Sequence, residues 1–347
     1  MYENLNDLMF ELSNRMENKQ DDLAFINGKS YSISYLKSLT SNQLIDLLCV
    51  KPGDKLYKYC SFDGYAIENI ILNQVHLSNP DDFDDTFDSR SDIGEEDFKR
   101  YLLEIYLDAI NCKYSKESEV DELMYSLFSE LGKIADTFDK FKEWLVESKI
   151  SKILSLRLQN MYLSIIQGLK SPQETINDIL HNDYIEYSNL VSKYRISCFS
   201  TNPINLKMWS LYANNNRGIC IEYTVDANMN VGSLLSVVYS HIRGDYNYCL
   251  EKYDNMDNDS IFFVWMESLL RKDILWAEQS EYRLISASGL NMNDNVSFYP
   301  ITAIYVGNKA TLQDIDKIKG ICRAKKIDCY HMQRDYKYYN LIPVKYK

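Results

Sequence analysis

The residues best suited to chemistry lie in Trp276-Ala-Glu-Gln-Ser-Glu-Tyr-Arg-Leu-Ile285, where Gln279, Glu281 and Arg283 recur at every second position. Tyr282, Leu284 and Ile285 are strand formers ahead of a Ser-Ala-Ser-Gly turn, so a buried strand is expected here. Side chains two apart on a strand share a side, which puts the amide, the carboxylate and the guanidinium on one face. The apolar run from Ile261 to Trp276 predicts a helix leading into that strand. A polar trio at such a helix-to-strand junction fits either a site for a ribose or a diphosphate, or a structural carboxylate–guanidinium pair.

A second cluster is the loop Ser78-Asn-Pro-Asp-Asp-Phe-Asp-Asp-Thr-Phe-Asp88. Hard divalent cations take oxygen ligands, and Asp81, Asp82, Asp84, Asp85 and Asp88 offer them. Their spacing matches no calcium-loop pattern and no glutamate completes one, so no metal site is assigned. An acidic turn that caps the next helix and bonds its own backbone accounts for the same residues.

The elements that must position these groups read as an α+β chain. Leu5, Leu8, Met9, Leu12 and Met16 recur at helical spacing, and Asn27-Gly28 marks a hairpin within residues 24–33. A helix is expected from about Ser34 to Leu48, ended by Pro52-Gly53. Strand Leu56–Cys60, helix Tyr65–Leu72 and strand Val75–Leu77 follow. From Glu95 to Val191 glycine and proline almost vanish and apolar residues alternate with charged ones, which predicts three to five helices. Ser171-Pro-Gln-Glu174 opens one of them with a capping box. His181, Trp144 and Trp265 read as core or surface residues. The sheet resumes with Tyr194–Thr201, Ile219–Val225, Ser236–Ser240, Ile301–Val306 and Ile327–His331, with a short helix Leu206–Tyr212 and another opened by Thr311.

The expected organisation is an N-terminal helix–hairpin–helix extension (1–54), a first part of the core (55–94), a helical insertion (95–191) and the rest of the core (192–347). The extension either pairs with another subunit or packs back on its own. The whole chain has 347 residues, 46% hydrophobic and 25% charged, the ordinary globular range. A formal net charge of −12 argues against a general nucleic-acid binder, which needs a basic face to release phosphate counterions. The eight cysteines are scattered without a C-x-x-C pair, so neither zinc nor a disulfide framework is suggested, and reduced thiols fit a cytoplasmic protein. No signal sequence or membrane span is read.

Leu56-Tyr-Lys-Tyr59, the Leu77–Asp88 loop, Phe199-Ser200 with Met208-Trp209-x-x-Tyr212, Gly218-Ile-Cys-Ile-Glu222, and Trp276–Ile285 together resemble the uncharacterised bacterial family DUF2971. The likeness spans roughly residues 55 to 340, and it implies a part in phage defence or abortive infection. A more distant resemblance is to ADP-ribosyltransferases, in the order of a first strand with a phosphate anchor, a later strand with Ser/Thr, and a strand opened by Gln-x-Glu. Lys58 and Tyr59, Ser200 and Thr201, and Gln279-Ser280-Glu281 stand at those places; lysine with tyrosine replaces the usual arginine or histidine with a small hydroxyl residue.

That resemblance implies NAD as the substrate, on an ADP-ribosyltransferase-like fold of mixed or antiparallel sheet with a large helical insertion. Breaking the nicotinamide glycosidic bond builds positive charge on ribose, and a carboxylate beside it helps the transition state most. Glu281 would be that carboxylate and Gln279 would hold the acceptor. Lys58, Tyr59, Ser200, Thr201 and Arg283 would line the nucleotide site, with Trp209 or Tyr212 stacking on nicotinamide. The alternatives are a non-enzymatic sensor whose helical insertion binds a phage or host protein, and a metal-dependent nuclease or phosphohydrolase built on the aspartate loop.

Overall fold

The computed structural model describes residues 23–83, 85, 88–89, 94–135, 137–148, 152–168, 170–189, 193–242, 266–287 and 295–346. The helix expected at Leu5–Met16, Asp84 and Trp265 lie outside the described residues. Two compact units emerge, one drawn from Met1–Arg90, Ser192–Arg243 and Ser268–Lys347, the other from Ser91–Val191 and Gly244–Glu267.

The first unit begins with β1 (Leu23–Ile26), β2 (Lys29–Ser32), helices Ile33–Ser38 and Ser41–Leu48, β3 (Lys55–Cys60), helix Gly64–Leu72 and β4 (Gln74–His76). It resumes with β5 (Tyr194–Ser200), helix Leu206–Leu211, β6 (Ile219–Thr224), β7 (Ser233–Ser236) and β8 (Val238–Ser240). Then come β9 (Arg271–Asp273), a 3-10 helix Ile274–Gln279, β10 (Glu281–Ala287), β11 (Asn295–Ser297), β12 (Ile301–Val306), helix Leu312–Lys325, β13 (Asp328–Arg334) and β14 (Leu341–Lys345).

Eight of these strands make one sheet in the order β14-β13-β12-β6-β3-β5-β10-β7. Within it β12 and β13 run parallel, and the other neighbours are antiparallel. A second sheet has the order β2-β1-β8-β9, and β4 pairs with β11. The architecture is α+β. Period-two alternation gives the large sheet two apolar faces. Leu56, Ile221, Phe199 and Leu284 pack on one, with Ile318 of helix Leu312–Lys325. Tyr57, Tyr59, Cys220 and Tyr305 pack on the other, with Trp209.

Three sequence expectations are corrected. The helix over residues 34–48 is broken, because Thr40 accepts from the Gln43 amide while Gln43 returns a bond to Thr40, and this box starts a new helix at Ser41. Ser236–Ser240 is not one strand: Val237 donates to the Glu281 carbonyl at 2.9 Å, ending β7 beside β10, and β8 turns to pair with β1 and β9. In the described part of Ile261–Trp276, Arg271–Asp273 pairs parallel with Val238–Ser240, and Asp273 then caps the 3-10 helix through the Leu275 amide. The hairpin turn is as its residues require, with Asn27 at φ 51° and Gly28 at φ 75°, and β1 pairs with β8 of the same chain.

The second unit holds helices Glu95–Ala109, Val120–Ile134, Phe138–Glu147, Lys152–Ile166 and Pro172–Ser188. Leu103, Leu107, Leu127, Phe141, Met161 and Leu180 form its core. Ser171 and Glu174 close the expected capping box, and His181 sits 2.8 Å from the Glu95 carboxylate. Among the described residues, no helix is long and apolar enough to cross a membrane.

Candidate functional site

The candidate site arises where two neighbouring strands part. β3 and β5 pair only at Tyr57 and Ser200. Beyond that point Ser78 takes over the β5 edge, exchanging backbone bonds with Ile196 at 2.8 and 2.9 Å. The gap opens into a cleft of about 270 Å³. Lys58 spans it: its Nζ donates to Ser197 Oγ at 2.7 Å and to the Cys198 carbonyl at 3.4 Å. By alternation Lys58 belongs to the face of Leu56, whereas Glu281, opposite Ser200, belongs to the face of Tyr57. Only the parting of the strands lets both line one cleft. A neighbouring hollow of about 340 Å³ shares Lys58, Tyr59, Ser78 and Tyr212 with it.

Glu281 belongs to a charge quartet. Arg283, fully buried, donates from Nε to Glu281 Oε1 at 2.8 Å and from Nη2 to Asp88 Oδ2 at 2.7 Å. It also bonds Ser89 Oγ and the Leu269 carbonyl. Lys272 donates to Glu281 Oε2 at 2.9 Å and Gln279 Oε1 at 3.0 Å, and lies 3.0 Å from Asp88 Oδ2. Two acids and two cations thus balance in a region where an unpaired charge is costly. Burial alone would raise the Glu281 carboxyl, but Arg283 and Lys272 outweigh it and hold the group well below the usual carboxylate range. Burial likewise opposes the charge on Lys272, yet Glu281 and Asp88 push its affinity for the proton up.

Backbone geometry aims the polar groups. Ser280, at φ 45°, turns the 3-10 helix into β10, so Gln279 and Glu281 both reach the cleft although Gln279 precedes the strand. Tyr212 ends helix Leu206–Leu211, and the chain reverses through Asn214, Asn215 and Asn216, all left-handed at φ 46°, 53° and 67°. Asparagine tolerates that region better than most side chains. Gly218 then passes so close to Cys60 that a Cβ would sit 2.2 Å from its carbonyl oxygen.

Of the residues singled out by sequence, Lys58, Tyr59, Tyr212, Gln279 and Glu281 line the cleft. Gln279 Nε2 donates to the Tyr212 hydroxyl at 3.4 Å. Four others do not line it. Ser200 is fully buried, donating to the Gln279 carbonyl at 2.7 Å and accepting from the Asn202 amide, so it ties β5 to the 3-10 helix. Thr201 is exposed outside the cleft, its amide bonded to the Ser280 carbonyl. Trp209 is fully buried, edge-on to Tyr59, with its indole N–H on the Pro203 carbonyl, which is core packing. Arg283 lies behind Glu281 and braces it.

Sequence reasoning missed Lys272 and the partners of Asp88. Lys272 lines the cleft with Trp276, whose ring centre is 5.4 Å from its Nζ. Asp88 belongs to the aspartate loop, but it faces Arg283 and Lys272. Among the described residues, no group of three or more histidine, cysteine or acidic side chains has the geometry to hold a metal ion. No family model, no curated protein and no solved structure matches this chain.

Proposed function

We propose that the cleft takes a nicotinamide dinucleotide and breaks its glycosidic bond, with Glu281 set against the ribose. The observation that carries this reading is a carboxylate held ionised by Arg283 and Lys272 on the wall of a cleft that Lys58 also enters. A negative charge fixed before reaction stabilises an oxocarbenium-like ribose without reorganisation. Each Glu281 oxygen carries one ion pair, which leaves acceptor capacity for a ribose hydroxyl. Gln279 and Tyr212 flank the carboxylate, and Trp276 offers an aromatic face to the departing ring.

The adjacency of β3, β5 and β10 supports the likeness to ADP-ribosyltransferases, since those three strands carry the resembling elements in order. Lys58 and Tyr59, shared by two hollows, stand where the diphosphate of a two-lobed ligand would pass. With the resemblance to DUF2971, this supports reading the protein as an effector of bacterial antiviral defence.

Nicotinamide release from NAD by the purified protein tests the activity, with Glu281→Gln and Glu281→Asp beside it and folding checked by circular dichroism. Loss in folded Glu281→Gln supports the reading. Equal rates, or no release by wild type with and without extract of phage-infected cells, overturn it.

A second reading, a sensor that binds the nucleotide without turnover, draws on the neutral balance of the quartet. It predicts saturable NAD binding by calorimetry with no nicotinamide released.

A further inference from the structure

Lys58 differs in kind from the two cations of the quartet. Lys272 and Arg283 each touch two carboxylates. Among the described residues Lys58 touches none: its Nζ bonds the Ser197 hydroxyl and the Cys198 carbonyl and rests 5.2 Å from the centre of the Phe199 ring. The reason is topological. Where β3 and β5 part, the Cys198 carbonyl loses its strand partner, and the lysine reaches across in its place.

We propose that Lys58 is a nucleophilic amine that condenses with a small aromatic aldehyde entering the cleft. The ligand class follows from the lining, since Tyr57, Phe83, Tyr212 and Trp276 line the same cleft as Lys58. The reaction balances without a redox partner. The Nζ lone pair bonds to the carbonyl carbon and a nitrogen proton passes to the carbonyl oxygen; the carbinolamine hydroxyl then takes a proton from solvent and leaves as water as the nitrogen pair forms C=N, leaving a protonated imine.

Burial favours the uncharged amine and outweighs Cys198, Cys60 and Glu281, each of which favours the charge. Burial lowers the proton affinity of Lys58 below that of an ordinary lysine. The groups facing it are Cys60 on its own strand, Cys198 on β5 and Glu281 on β10. Burial pushes the Cys60 thiol up to about 12 and raises Cys198 as well, so neither is a thiolate at neutral pH. Glu281 is the one charged neighbour of the three, and Arg283 and Lys272 already balance it. A desolvated lysine without a counter-ion is the form in which lysine acts as a nucleophile.

Salicylaldehyde with cyanoborohydride at pH 7 tests this, followed by peptide mapping of the reduced adducts. Exposed Lys317 serves as the internal reference, and the same chain unfolded in urea as the control. The expected result is a Lys58 to Lys317 labelling ratio higher in the native protein than in the unfolded chain, since a lowered proton affinity exposes more free amine. A native ratio equal to or below the unfolded one overturns the proposal. Lys58→Arg, which keeps charge and length but forms no stable imine, is expected to lose the adduct; retention of the same native labelling on another lysine of the cleft also overturns it. The claim concerns the protein without nucleotide, so it stands or falls independently of nicotinamide release.

Discussion

Glu281 Oε1 and Arg283 Nε meet at 2.8 Å from positions two apart on one strand, both side chains almost wholly out of solvent. Arg283 also holds Asp88, so it joins two acids that are far apart along the chain. Removing one member of a buried pair strands the other, at a cost of about 3–5 kcal/mol. Arg283→Met is therefore expected to lose that much in urea denaturation. Glu281→Gln with Arg283→Met is expected to lose less than the two singles added, because each single leaves an unpaired charge that the double removes. Strict additivity would show that the pair does not act as a unit.

Acid stability follows from the same pair. The folded-state affinity of Glu281 for a proton is depressed below the ordinary value of 4.5, so its ionised form favours the native state. The contribution is fully present above that value and is lost as pH falls toward the folded-state pKa, where both forms bind the proton. Wild type is expected to lose stability steeply below about pH 4.5, and Glu281→Gln to show a shallower slope there. Parallel slopes in the two proteins would contradict the assignment.

Gly218 admits no side chain. A Cβ there would meet the Cys60 carbonyl oxygen at 2.2 Å and the Ala213 carbonyl carbon at 3.0 Å, both backbone atoms that cannot rotate away. Gly218→Ala is expected to cost at least the ~1–3 kcal/mol of an overpacked site, read as a fall in Tm. Because Ala213 follows Tyr212, the same change is expected to weaken ligand binding in the cleft.

Ser200 and Tyr212 separate structural from ligand-facing roles. Ser200→Ala leaves the Gln279 carbonyl and the Asn202 amide without their partner, a loss of about 1–3 kcal/mol, with nucleotide affinity unchanged for protein that folds. Tyr212→Ala is expected to show the reverse, weaker binding by isothermal calorimetry with little change in Tm, since Tyr212 is partly exposed and lines the cleft. Equal effects on binding would place both residues in one class.

Strands β3, β5 and β6 were legible because β-formers run between clear stops, Pro52-Gly53, Asn202-Pro203 and Gly218, and β10 from Tyr282, Leu284 and Ile285; the turn at Ser280, which takes Gln279 off that strand, was not. The Asn27-Gly28 turn and the Ser171 cap were legible for the same local reasons. What escaped depends on distance. Asp88 and Arg283 are 195 residues apart, and nothing local marks the acid as one half of a buried pair. Lys272 lies in Arg-Lys-Asp273, a three-residue strand of charged side chains that follows an apolar run and borrows its helical look. Ser200 and Trp209 had the right types for a ligand site, but alternation and helix phase turned them into the core, where the distant Gln279 carbonyl and the nearby Pro203 carbonyl satisfied them.

The quartet of Asp88, Lys272, Glu281 and Arg283 sums to zero charge, within a chain whose formal net charge is −12. From afar an anion feels the acidic exterior and almost nothing of the two cations within. Diffusional encounter with the proposed dinucleotide is thus expected to be opposed rather than guided. Added electrolyte, which shortens the Debye length to about 10 Å at 0.1 M, is expected to raise the association rate in stopped-flow mixing, the opposite of the behaviour of a basic nucleotide binder.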